Sequence, residues 1–292
     1  MADQIIGLPQ HSLQNWLATP AGQYLLQWER AQVDAAVADV FGYHAVQLGW
    51  PDIAGLQANR MPHQWLALAQ PSEAAATQNP AVTALPVQAA LITDFAALPF
   101  AEASLDLLVM PHTLEFSTDP HTTLREAARV LVPDGRVVIC GLNPASLWGW
   151  RQHRGRMAQR VGLGIGVGSL YLPEGGEFIG YWRLRDWLRL LSFEVESSSF
   201  GCYRPAVRSA AWLDRMAWMD TLGQRYWPIL GAAYCVTAVK RVRGMRLLGA
   251  AWKKVPKMAT APVSVAPRAH NTWVNTEFSI KKPLQNTTEA ME

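Results

Sequence analysis

Apolar side chains recur at helical spacing from Leu13 to Val40, through Trp16, Leu17, Tyr24, Leu25, Trp28, Val33 and Val37. Thr19-Pro20 interrupts this run with an N-cap residue followed by a proline suited to the first helical position, so two helices are expected. After Gly42 the period changes. Short β-rich runs at His44–Gly49, Gln64–Ala69, Val87–Ile92, Leu105–Met110 and Arg136–Cys140 predict five strands. Between them lie a short helical stretch from Trp50-Pro51-Asp52 to Arg60 and an Ala/Pro/Thr/Gln-rich loop over 71–86. Asp119-Pro120 opens a helix running to Leu131, and Val132-Pro133-Asp134-Gly135 reads as a turn. An amphipathic helix over 181–191, a strand at Phe193–Phe200, a helix over 207–222 and a last strand at Ala232–Val239, read as antiparallel, complete the pattern.

Strands alternating with helices predict an α/β fold with a mostly parallel sheet and helices on both faces, whose ligands bind beyond the carboxyl ends of the strands. The expected division is an N-terminal helical cap over 1–39, one domain over 40–240 with an insertion at 144–180, and a tail over 241–292. In that tail periodicity fades and Pro, Thr, Asn and Lys accumulate, a composition that reads as disorder.

Composition narrows the function classes. Half of the 292 residues are hydrophobic, enough for a sizeable core. No run of 18 apolar residues occurs and the first residues lack the features of a secretion signal, so a cytoplasmic protein is expected. Cys140, Cys202 and Cys235 are widely spaced in apolar runs and read as reduced core thiols, with no metal site. Charge is lopsided: residues 1–146 hold five basic against 13 acidic side chains, and residues 147–292 hold 21 against 10. That asymmetry is compatible with an anionic partner for the second half or with solvated basic faces. The segment Lys240–Lys257 carries seven basic residues and no acid; nucleic acid or a membrane surface could be met there, but a solvated terminal helix is the favoured reading.

One stretch carries a resemblance. Asp94-Phe95-Ala96-Ala97-Leu98-Pro99-Phe100, Ser104-Leu105-Asp106-Leu107-Leu108-Val109, Leu114-Glu115-Phe116, Asp119-Pro120, Leu124-Arg125-Glu126, Arg129-Val130-Leu131 and Pro133-Asp134-Gly135-Arg136 follow one another in order. This run resembles the second half of the class I methyltransferases of type 11, the family that includes quinone-biosynthesis methyltransferases and has a Rossmann-like fold. With Asn143–Gly149 and the Phe41-Gly42 context, the chain is similar to a bacterial subgroup with a degenerate glycine-rich motif. The resemblance implies S-adenosylmethionine (SAM) as cofactor and methyl transfer to a small-molecule acceptor. It places the adenine edge on Asp94 and Phe95, and the rest of the cofactor near Gly49, Gln70 and Met110.

The first half departs from that family. Where a glycine-rich loop should follow the first strand stands Gly49-Trp50-Pro51, and Gln70 stands where a ribose-binding acid should follow the second. Either Trp50 walls a working pocket or it obstructs the crevice, and the alternative function is a methyltransferase-like binding or scaffold protein without SAM affinity. His112, after the fourth strand, is a candidate general base or a pocket-wall residue. In the insertion, Trp148, Arg151 and Tyr171 would suit a planar or anionic substrate, or else belong to a basic helix packed on the domain. Gly162, Gly164, Gly166 and Gly168 lack the strand and acid of a nucleotide loop and read as a hinge. Glu115 reads as loop support and Asp106 as structural.

Overall fold

The computed structural model describes residues 13, 15–70, 88–160, 170–173 and 175–242. The glycine run at 162–168 and the expected tail beyond 242 lie outside these residues. Among them, helix α1 (Pro20–Val37) precedes strand β1 (His44–Leu48), then β2 (His63–Leu68), β3 (Gln88–Ile92) and β4 (Leu105–Pro111). Helix α2 (Pro120–Val130), strand β5 (Leu131–Leu142), helices α3 (Leu147–Arg160) and α4 (Tyr181–Leu190), and strand β6 (Phe193–Gly201) follow. Helices α5 (Ala210–Arg215) and α6 (Trp218–Tyr226) and strand β7 (Ala233–Lys240) end the series.

The seven strands form one sheet in the order β3-β2-β1-β4-β5-β7-β6. Strands β1 to β5 pair in parallel, while β7 is antiparallel to both neighbours. This is the Rossmann-like arrangement of class I methyltransferases, with the order reversing between β1 and β4 and so opening a crevice at their carboxyl ends. Local chemistry sets the boundaries. Thr19 caps α1 by accepting the Gly22 N–H at 3.2 Å, with Pro20 in the first turn. Asp119 caps α2 by accepting from His121 and Thr122 N–H.

Three expectations change. The turn at Val132–Gly135 is an excursion within β5: Leu105 pairs with Leu131 and Leu107 already with Arg136, so the intervening residues loop out, with Asp134 left-handed. The helix expected over 207–222 is two helices, α5 and α6. After Trp50 a single 3-10 turn, Pro51–Ile53, replaces the helical stretch to Arg60.

Helix α1 lies directly on the sheet. Val33 and Val37 are buried with Val109 and Val138, so the N-terminal segment shares the core on that face. Nearer the carboxyl edge, Leu13, Leu17 and Leu25 form a second buried group with Trp50, Trp148 and Tyr171. The opposite face packs Leu124, Ala127 and Val130 of α2 and Leu184 and Leu188 of α4 against Val137 and Ile139.

Candidate active site

At the carboxyl ends of β1 to β4 four loops converge on a crevice of about 140 Å³, lined by Trp50, Ala69, Asp94, Phe95, Thr113, Phe116, Ser117 and Thr118. Its floor is the loop after β1. Gly49 and Trp50 have φ of 72° and 49°, both in the left-handed region that glycine occupies without penalty and tryptophan does not. The buried amide of Gln47 holds this shape, donating from Nε2 to the Gly49 and Trp50 carbonyls at 2.9 and 2.8 Å. Its Oε1 accepts the Gly55 N–H at 2.7 Å. Arg30 of α1 donates to the Asp52 carbonyl and ties the following 3-10 turn to the helix. A β-carbon on Gly49 would meet the Phe95 ring at 3.7 Å, so the loops after β1 and β3 touch here.

Asp94 is exposed, and its Oδ1 accepts the Ala96 N–H at 2.9 Å, an arrangement that fixes the carboxylate at the rim. Phe95 is half-buried against the crevice. Ala69, not Gln70, lines the place after β2. Met110 is fully buried in the sheet core among Leu108 and Ile139 and does not line the crevice, because strand alternation turns it to the face covered by α2 and α4. Trp50 is 5% exposed and packs on Phe116 with ring centroids 5.5 Å apart. Thr113 bridges the two central strands, its hydroxyl donating to the Leu48 carbonyl at 2.9 Å.

Beneath this lies a buried charge cluster that the sequence reading only half anticipated. His112, with φ of 49°, is wholly inaccessible. Its Nδ1 meets Glu115 Oε2 at 2.9 Å and its Nε2 meets Glu29 Oε2 of α1 at 3.1 Å. Burial alone would depress the imidazole pKa, but the charges and hydrogen bonds of Glu29 and Glu115 together outweigh it and raise the pKa to about 10. Burial raises the Glu115 pKa in turn, against the opposing pull of His112 and of the Leu142 N–H that Glu115 accepts. The imidazolium is thus held between two carboxylates, with neither nitrogen free. A general base needs an available lone pair within reach of substrate, and here His112 has neither the lone pair nor the access. Its place is structural: it ties α1 to the loop after β4.

Trp148, Arg151 and Tyr171 come together, yet as packing. Trp148 is fully buried, donates to the Arg204 carbonyl at 2.8 Å and meets Tyr171 edge-on at 5.5 Å. Tyr171 is 3% exposed and donates to the Val207 carbonyl, while Arg151 lies over its ring and donates to the Ala206 carbonyl. Asp106 joins β4 to the start of β1 by accepting the Tyr43 and His44 N–H groups. Thr113, Phe116, Ser117 and Thr118 were not singled out from the sequence. The signal available for them was the polar run Ser117-Thr118 just before the Asp119 cap, which a loop at the crevice rim requires.

Among the described residues no cluster of histidine, cysteine or acidic side chains could hold a metal ion.

Residues 60–139 match the family model described as a methyltransferase domain. Uncharacterized protein YafS of Escherichia coli (strain K12) is 31% identical over 185 residues, spanning 63% of this chain and 66% of the relative, just under two thirds of its length. Among solved structures, the candidate methyltransferase in a complex with the Haloferax volcanii Trm112 methyltransferase activator is similar with a TM-score of 0.52. It is 17% identical, covering 80% of this chain and 98% of that one. A SAM-dependent methyltransferase of Thermotoga maritima is similar with a TM-score of 0.51 at 15% identity, over 79% and 99% of the two chains. At such identity the structures speak for the fold, and the sequence match speaks for the segment that forms β2 to β5. The chain carries a methyltransferase domain of type 11 within a class I methyltransferase fold.

Proposed function

We propose that the chain transfers a methyl group from SAM to a small-molecule acceptor. The observation that supports this most is the rim of the crevice, where the Asp94 carboxylate stands exposed beside Phe95 and opposite Gly49, on the carboxyl side of a parallel sheet. A carboxylate there suits the exocyclic amine or hydroxyls of an adenosine, and an aromatic ring suits its base. Thr113, Ser117 and Thr118 add hydroxyls along the same wall. When bound, SAM supplies an electrophilic methyl group. The protein's share is then to align the acceptor and exclude water.

The adenosine half of the cofactor fits these residues. The amino-acid half meets the Trp50–Phe116 pair, and a crevice of about 140 Å³ is below the roughly 300–1,000 Å³ usual for a small-molecule site. Binding of the whole cofactor therefore calls for the Trp50 side chain to leave its packed position. The same observation favours a second reading, in which Trp50 closes the site for good and the chain is a binding or scaffold protein on a methyltransferase frame.

Calorimetric titration with SAM and with S-adenosylhomocysteine, on the wild-type chain and on Trp50→Gly, separates the two. Wild-type binding supports the transferase. Binding by Trp50→Gly alone supports the closed frame, and binding by neither at millimolar concentration refutes the transferase.

A further inference from the structure

The carboxyl edge of the sheet carries a second surface, on the far side of β5, that the crevice does not use. Helix α6 presents Trp218, Leu222 and Tyr226 at i, i+4 and i+8, all exposed. Such a stripe normally faces a core. Exposed Trp227 follows the helix, the 3-10 turn after it (Pro228–Leu230) adds exposed Ile229 and Leu230, α5 adds Trp212, and the first turns of α3 add Leu147 and Trp150. Trp150 is 59% and Trp218 58% exposed, unusual values for the largest apolar side chain. Between α3 and α6 runs a groove of about 470 Å³ whose walls include Leu147, Trp150, Met219, Trp227 and Leu230.

The charges around these rings identify the occupant. Arg154 lies over Trp150 at 4.7 Å, Arg215 over Trp212 at 5.7 Å and Arg225 over Tyr226 at 6.0 Å. Among the described residues none of these three guanidinium groups has a carboxylate within ion-pair distance. The two acids of the same face, Asp214 and Asp220, both pair with Arg204. The face thus offers exposed rings and three cations against two acids, of which Asp220 is mostly buried while Asp214 stays exposed at 3.7 Å from Arg204. That pattern suits the headgroup layer of an anionic bilayer, where indole and phenol rings settle at the polar–apolar boundary and guanidinium groups reach phosphate. No described helix is long and apolar enough to cross a membrane, so the contact would be peripheral.

We propose that the α3–α5–α6 face seats the protein on an anionic phospholipid surface. This stands independently of whether the crevice binds SAM.

The test is co-sedimentation of the full chain with sucrose-loaded vesicles of phosphatidylcholine alone or with 30% phosphatidylserine, at about 0.1 M salt. Wild type is expected to pellet with the phosphatidylserine vesicles and weakly or not at all with phosphatidylcholine. The Trp218→Ser/Trp227→Ser variant should lower the partition coefficient by roughly tenfold or more, since two interfacial indoles are lost. The Arg215→Gln/Arg225→Gln variant should lose roughly tenfold on the anionic vesicles only. The basic segment 240–257 is the same in every variant, so these differences report the aromatic face. Circular dichroism melts identify any variant that has lost its fold, in which case the other pair decides. Wild type failing to pellet, or pelleting unchanged in both variants, overturns the proposal. A dimer in analytical ultracentrifugation that the tryptophan variant abolishes, without vesicle binding by wild type, would instead assign the face to a second copy of the chain.

Discussion

Replacing His112 by Asn removes the one cation between two buried carboxylates. Asparagine tolerates the left-handed backbone at this position, so the change isolates the charge from backbone strain. Its cost follows from the cluster. The gap between a folded pKa of about 10 and the ordinary 6.5, at about 1.4 kcal/mol for each pH unit, corresponds to about 5 kcal/mol. Breaking a buried ion pair from one side costs about 3–5 kcal/mol, which agrees. The sign follows from a raised folded pKa: the imidazolium contributes fully below pH 6.5, and the contribution is lost as pH rises through about 10. Urea unfolding of both proteins at pH 5, 7 and 9 reads the difference. The expected gap is widest at pH 5, still about 3–5 kcal/mol at pH 7, and narrows at pH 9 as wild type nears pH 10. A gap below about 1 kcal/mol at pH 7, or one independent of pH, refutes the buried imidazolium. Full stability at pH 7 with lost activity would return His112 to the role of a base.

Asp94→Ala should weaken SAM binding by about 1–3 kcal/mol in calorimetry with the fold intact, and an unchanged affinity removes Asp94 from the site. At Gly149 a β-carbon would sit 2.2 Å from the Pro144 carbonyl oxygen, a backbone atom that cannot step aside, whereas at Gly180 the nearest atom is 3.7 Å away. Gly149→Ala should therefore cost about 1–3 kcal/mol in a denaturant titration and Gly180→Ala under about 1 kcal/mol; equal costs would contradict the packing. Cys140, Cys202 and Cys235 are all buried, and burial raises the Cys202 thiol pKa. A colorimetric thiol reagent at pH 8 should find no fast-reacting cysteine until denaturant is added, and rapid labelling of the native protein would refute their burial.

Periodicity located the strands because each buried strand of a parallel sheet is a short apolar run, and β4 (Leu105–Pro111) is the clearest example. Helix boundaries were legible where a cap is written in the residues, as at Thr19 and Asp119. The break between α5 and α6 was not, since Met216-Ala217 has no helix-breaking residue. At the site, the place of Asp94 and Phe95 at the crevice rim could be read from the ordered run beginning at Asp94. The fate of His112 could not, because its partner Glu29 lies 83 residues away and no local signal joins them. Gln47 was missed for a related reason: a polar residue inside a strand reads as an outward position, and only the folded loop shows its amide turned inward to organise Gly49 and Trp50. Trp148 and Tyr171 were legible as aromatic residues, but side-chain type does not reveal whether a ring meets solvent or core.

The position of β7 in the sheet governs the order in which the domain can be assembled. It is the last described strand in the chain, yet it lies between β5 and β6, and nearly all of it is buried. Until it docks, β5 has an open hydrogen-bonding edge and β6 has no neighbour in the sheet. A nascent chain ending before Ala233 therefore presents an unpaired apolar edge, the state in which partly made α/β domains are prone to aggregate. Strands β1 to β5 can pair as they emerge, whereas closure is a long-range, late step. The cross-strand neighbours Cys140 and Cys235, with sulfurs 3.5 Å apart, lie on this final seam. Cys140 is consequently a natural reporter of the closing event, shielded on one side by the sheet already formed and on the other only once the chain has returned.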